Sequence, residues 1–151
     1  MANLTGVDAT QANFFGVDLG EAVLTGISAR RAIFAEAKLG KTDLSRADLV
    51  DTQYANAMAH LAVFVGSRLD RAVFEGADVR GARFVDAKLE GALMAHAKLD
   101  ACDFTRANLQ HADFHRVTVD AAIWSGANTR GTTHTDETRA RAEDFVPGGN
   151  A

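Results

Sequence analysis

The chain has 151 residues, with 20 acidic side chains against 16 basic ones, a net charge of −4 and a single cysteine. So slight an acidity argues neither for nor against nucleic acid, which is not expected as a partner, and one thiol cannot build a disulfide framework. No apolar run approaches the roughly 18 residues of a membrane-crossing helix, and no leader-like segment precedes the patterned region, so the expected setting is a bacterial cytoplasm.

From Leu4 to His134 every fifth residue is a large apolar side chain or a stand-in for one. The step of five gives 27 centres without an insertion: ten Leu, seven Phe, Met94, Tyr54 and Trp124, with Val79, Val119, Ala9, Ala29, Ala59, Thr129 and His134 as the weak members. Calling the centre i, position i−2 is Ala in 18 of 27 repeats and never charged. Charges are confined to i−1, i+1 and i+2, or to the segment after Asp136. Two inward and three outward positions per repeat explain this partition.

A period of five fits neither the 3.6 of a helix nor the 2.0 of a plain strand. It requires a backbone that turns a corner every five residues, with small i−2 and large i side chains filling a narrow core. Gly falls at i+2 in nine repeats, which marks that position as the turn. The array contains no proline, as expected where each missing donor would break a ladder between coils.

Stretches such as Ala2-Asn3-Leu4, Ala47-Asp48-Leu49, Ala107-Asn108-Leu109 and Ala112-Asp113-Phe114 carry the pattern A(D/N)LXX. In these residues the chain resembles the pentapeptide-repeat proteins, over residues 2–136. The resemblance implies an all-β fold, a right-handed quadrilateral β-helix with four repeats to a coil, hence about seven coils and a rod about 30 Å long. Recurrence every 20 residues agrees with four sides. One column reads Leu4, Leu24, Leu44, Phe64, Phe84, Phe104, Trp124, and the opposite one Phe14, Phe34, Tyr54, Phe74, Met94, Phe114, His134. All seven Phe centres lie in these two columns, which predicts ring stacked on ring between coils.

The domain reading is a solenoid over 1–136 and a short C-terminal cap with a flexible tail over 137–151. Within the latter, Thr138 to Phe145 is expected to form one or two helical turns, and Phe145 and Val146 to fold over the last coil. The first coil is read as uncapped.

Neither a phosphate loop, a nucleophile elbow nor a metal signature is present, so the reading is not an enzyme, with no catalytic residue, cofactor or metal. His96, His115 and His134 fall near one another on one side, but without a carboxylate arrangement they read as solvated surface. Cys102 takes an inward small-residue slot and reads as a reduced core residue. Asp and Asn at i−1 read as turn chemistry.

Function is then expected on the outer surface. On the side of Leu4 the outward residues include Val23, Val63, Val65, Val85 and Ile123; on the side of Phe14 they include Phe15, Ile33, Val73 and Leu93. These nine form the expected interaction surface of a non-catalytic scaffold or adaptor that uses the sides or N-terminal end of the rod. Its partner is a protein of unspecified identity, with a homodimer through the N-terminal coil or an apolar side as one form, and an accessory role beside a secretion system as a setting drawn from the family. The alternative the family implies is a mimic of duplex DNA that binds DNA gyrase and confers quinolone or toxin resistance. The Phe14 side is the most acidic on balance, with Glu36, Glu75, Asp113 and Asp136 against Arg116, whereas mimicry needs dense, continuous negative potential.

Overall fold

A computed structural model of the chain describes residues 1–135. The predicted cap over 137–151 lies outside them. The described chain is a right-handed four-sided β-helix. We number its coils from the N-terminus in blocks of twenty residues, coil 1 being 1–20, and name each side after its first centre: Leu4, Ala9, Phe14 and Leu19.

The backbone explains the period. Position i−1 bridges in parallel to the residue 20 further on, in an unbroken series from Asn3↔Val23 to Asp113↔Thr133. Four of five N–H groups per repeat have backbone acceptors. Val23 donates back to the Ala2 carbonyl at 2.9 Å, Leu24 forward to Asp43 at 2.8 Å, Gly26 forward to Ser45 at 2.9 Å, and Ile27 closes the turn on Leu24 at 3.1 Å. The fifth, at i+1, has no place in the ladder. An Asn or Asp at i−1 supplies its acceptor, as Asp43 Oδ1 does for Ser45 N at 2.9 Å and Asn13 Oδ1 for Phe15 N at 2.9 Å. This is the turn chemistry expected of these positions; Asp48 differs, being engaged by Arg30 and Arg68.

Position i+2 is left-handed in every described repeat, with φ between 52° and 71°. Glycine accepts that conformation freely, yet 17 of the 26 residues there are not glycine. Glycine has a second use at this corner. A Cβ on Gly76 would lie 2.5 Å from Asn56 Oδ1, and one on Gly81 would lie 2.8 Å from Leu61 Cδ2, so each vacancy receives the side chain from the coil before.

Inside, the two aromatic columns form the ladders that the 20-residue recurrence predicts. Phe14, Phe34, Tyr54 and Phe74 stack at centroid spacings of 4.8, 5.2 and 4.6 Å, and Phe64, Phe84, Phe104 and Trp124 at 4.9, 5.1 and 4.7 Å. These are the coil spacings themselves. Across the lumen the ladders meet edge to face, Phe64 on Phe74 at 5.9 Å and 88°, the arrangement ring quadrupoles favour.

Where i−2 is not apolar, its polar atom is used. Thr42 Oγ1 donates to the Leu19 carbonyl at 2.7 Å, Thr52 Oγ1 to Leu49 at 2.6 Å and Ser67 Oγ to Phe64 at 2.7 Å. Cys102 is buried in its inward slot with Sγ 3.0 Å from the Val79 carbonyl, and burial pushes its thiol up to about 12. The Tyr54 hydroxyl is buried without a well-formed hydrogen bond. Burial pushes its ionisation above the usual phenol range, against a smaller opposing pull from Thr52.

Candidate interaction surface

Every outward side chain belongs to one of four ladders, so the surface is four strips that run the length of the rod. The strips differ in how far their charge is spent on internal pairs.

On the Ala9 side, Arg30 and Arg68 share Asp48 at 3.2 and 3.3 Å, and Arg71 clasps Asp51 with two bonds of 2.7 and 3.1 Å. Arg71 holds the Asp51 carboxyl below its usual range. A shallow groove of about 390 Å³ opens there, lined by Arg30, Val50, Arg68, Asp70, Arg71, Glu90, Gly91 and His111. Its basic residues are already matched by carboxylates. Elsewhere Arg106 clasps Asp86 across one coil at 2.7 Å, and Arg80 clasps Asp78 within one repeat at 2.6 Å, in each case depressing the carboxylate through the guanidinium hydrogen bonds.

The Phe14 side is built otherwise. Its i−1 row runs Asn13, Ile33, Gln53, Val73, Leu93, each bridged to the next. Its i+1 row runs Phe15, Ala35, Ala55, Glu75, Ala95. Glu75 is the single charge in these two rows over coils 1–5. Phe15, Ile33 and Leu93 are 56%, 38% and 46% exposed, while Ala95 is buried. A row of larger residues therefore stands beside a trough floored by Ala35, Ala55 and Ala95, closed at coil 1 by Phe15 and interrupted at coil 4 by Glu75.

Of the predicted surface residues, Phe15, Ile33, Leu93 and Ile123 are exposed, and Val23, Val63, Val65, Val73 and Val85 are half-buried. The structure brings Phe15, Ile33, Val73 and Leu93 together on one side. On the Leu4 side Val65 and Val85 are neighbours in the i+1 row, the i−1 row is broken by Asp43, Arg83 and Asp103, and all four valines there are half-buried. Ile123 stands alone in coil 7. The period also hid some surface features: Met58 and the left-handed corner residue Leu61 are exposed, and outward Val50 is buried beside the arginines of the Ala9 groove.

The reading of three solvated histidines needs one correction. His96 and His134 are exposed, but His115 is buried, its ring edge-on to His96 at 5.6 Å. The His115 N–H keeps the usual bond to Asp113 Oδ1 at 2.9 Å, while the next N–H, of Arg116, reaches Thr135 Oγ1 at 3.1 Å. Among the described residues, no group of three or more His, Cys, Asp or Glu is placed to hold a metal ion. Among the same residues no helix is long and apolar enough to cross a membrane.

The family profile described as pentapeptide repeats matches residues 12–50, 56–91 and 82–120 in eight copies. No curated protein matches the chain. Among solved structures, the chain is similar to a pentapeptide repeat protein, Rfr23, from the cyanobacterium Cyanothece 51142, at 20% identity and a TM-score of 0.61 over 81% of this chain and 90% of that one. It is also similar to a pentapeptide repeat protein of the Arabidopsis thaliana thylakoid lumen, at 24% identity and a TM-score of 0.59 over 90% of this chain and 81% of that one. A third likeness is to QnrB1, a plasmid-mediated fluoroquinolone resistance protein, at 15% identity and a TM-score of 0.57 over 94% of this chain and 81% of that one. At these identities the likeness shows the fold.

Proposed function

The chain belongs to the pentapeptide-repeat family, and on that premise we propose that it is a non-catalytic interaction module whose contact surface is the Phe14 side of the rod, acting in the cytoplasm. The observation that carries this reading is the contrast between strips. On the Ala9 side charge is spent on ion pairs within the chain, whereas the Phe14 side over coils 1–5 leaves Phe15, Ile33 and Leu93 in solvent, with one carboxylate among the ten residues of its i−1 and i+1 rows. Contiguous apolar area of this kind marks a contact site.

The test uses the full chain as immobilised bait, wild type beside the double variant Ile33→Lys, Leu93→Lys. Proteins held by the wild type are expected to be lost from the variant, with folding checked by an unchanged melting curve. Equal capture by both would sink the assignment of the surface.

A DNA mimic acting on gyrase is the competing reading. The acidic balance of the Phe14 side favours it, and the likeness to QnrB1 brings it to mind. The pairing of Asp48, Asp51, Asp78 and Asp86 with arginines weighs against it, because neutralised carboxylates present no row of phosphate-like charge. A supercoiling assay with titrated protein separates the two. Inhibition or protection at roughly micromolar protein would favour the mimic.

A further inference from the structure

We infer that the occupant of the Phe14 side is a second copy of this chain, packed with both rods parallel and a twofold axis running along them. This rests on the reading of the Phe14 side as the contact surface and adds the identity and register of what covers it.

The first argument is flatness. Stacked rings from Phe14 to Phe74 and from Phe64 to Phe104 stay within 10° of parallel, so successive coils hardly rotate. Ordinary sheets twist by about 20–25° per strand, which curves their faces and limits aligned packing. A flat face meets another flat face along its whole length, at the usual sheet spacing of about 10 Å.

The second argument is shape. A twofold axis along the rods lays the i−1 row of one copy over the i+1 row of the other, coil by coil. Ile33 then meets Ala35, Gln53 meets Ala55 and Leu93 meets the recessed Ala95. Larger residues meet alanines at coils 2, 3 and 5, about 5 and 10 Å apart, while Asn13 meets Phe15 at coil 1 and Val73 meets Glu75 at coil 4. A twofold axis across the rods, centred on coil 3, instead sets Ile33 on Val73 and Ala55 on Ala55, ridge against ridge and trough against trough. The parallel arrangement alone fills the trough.

The third argument is area and charge. The two rows over coils 1–5 give a face about 20 Å long and one repeat wide, below the roughly 1,200 Å² total of a stable specific pair and in the range of transient ones. A face of this size with few charges suits a reversible pair that forms at micromolar concentration. Within coils 1–5 each copy brings only Glu75 into the two facing rows, so like-charge repulsion is small.

Sedimentation velocity of the full chain, from about 1 to 200 µM, tests the pair. The mass is expected to rise with concentration from 16.1 kDa toward twice that value. Leu93→Lys and, independently, Ala55→Arg are each expected to weaken association by roughly 30-fold or more. A wild-type chain that stays monomeric throughout overturns this inference and leaves the contact surface to the capture experiment. A dimer indifferent to both substitutions forms through another face, which overturns this inference and leaves the contact surface to the capture experiment.

Register is read from cysteines. Mixing Gln53→Cys with Ala55→Cys under oxidation is expected to give a covalent dimer that neither variant gives by itself. Self-crosslinking of Gln53→Cys without the mixed product overturns the parallel register. Both substitutions lie at outward positions, and an unchanged melting temperature confirms that each variant is folded.

Discussion

Coil 1 and coil 2 follow the same pattern but differ in burial. Leu24 is wholly buried whereas Leu4, one coil earlier in the same column, is partly exposed; Ile27 is 0% exposed and its counterpart Val7 is 40%. Phe34 is closed in while Phe14, stacked on it at 4.8 Å, is covered from one direction only. The repeat decides which way a side chain points. Burial is supplied by the neighbouring coils, as in any stack whose stability is a sum of nearest-neighbour interfaces.

This difference sets the largest predicted effect. Phe74 stacks on Tyr54 at 4.6 Å and meets Phe64 and Phe84 edge-on at 5.9 Å, so Phe74→Ala opens a cavity where both ladders meet. The expected loss is about 3–5 kcal/mol. Phe14→Ala removes the same atoms from a position with one stacked neighbour and is expected to cost about 1–2 kcal/mol. Urea unfolding of the two variants measures the gap. Equal losses would mean that coil 1 is as closed as coil 4.

The same contrast explains how much was legible in advance. The inward columns and both aromatic ladders followed from periods of five and twenty, because inward positions admit one solution each; the four sides came with the family resemblance, and glycine marked the corner as a turn without giving its hand. The outward positions obey no such rule. Val50 and His115 occupy nominally outward slots and are buried, one beside long arginines and the other where the turn at Arg116 departs from the ladder. Val63 and Val85 were expected at the contact surface and are half-buried, since a β-branched side chain on a flat ladder is shielded by the residues above and below it. Of the candidate site, the residues and their division between two sides were legible and their exposure was not. The structure leaves Phe15, Ile33 and Leu93 in solvent and half-buries the valines of the Leu4 side.

A smaller effect sharpens the comparison through a single hydroxyl. Tyr54 sits in the closed part of the ladder with its oxygen buried and without a well-formed bond. Such a group costs about 1–3 kcal/mol, so Tyr54→Phe is expected to stabilise the chain by about 1 kcal/mol after allowing for the lost volume. The reverse change in coil 1, Phe14→Tyr, is expected to be nearly neutral, because solvent reaches that ring. A fall in the melting temperature of Tyr54→Phe would show that the hydroxyl is satisfied.

Corner residues should ignore coil position altogether, since backbone strain is local. Ala101 and Gln11 have φ of 57° and 61°. Replacing either by glycine is expected to gain about 0.5–1 kcal/mol, the left-handed penalty less the extra freedom of unfolded glycine. The two gains should agree by chemical denaturation. A much smaller gain at Gln11 would mean that coil 1 is frayed and its corner unstrained.

The smallest effect concerns acid. Arg71 hydrogen bonds depress Asp51, and Arg106 hydrogen bonds depress Asp86, whereas Asp8 in coil 1 is depressed by the Thr10 hydroxyl and then by its N–H. A carboxylate whose folded value lies below its unfolded value of about 3.9 contributes stability that is full above that value and is lost as the pH falls through the folded one. The melting temperature is therefore expected to hold from neutral pH to about 4 and to decline below it. These carboxylates are exposed, so each contribution is small. Salt distinguishes the regions: screening weakens the Arg71–Asp51 clasp but leaves a hydrogen bond from Thr10 largely intact. Asp51→Asn should thus reduce both the acid sensitivity and the salt sensitivity of the melting temperature. Asp8→Asn, which keeps a side-chain acceptor, should reduce only the first. An acid decline unaltered in both variants would assign it to other carboxylates.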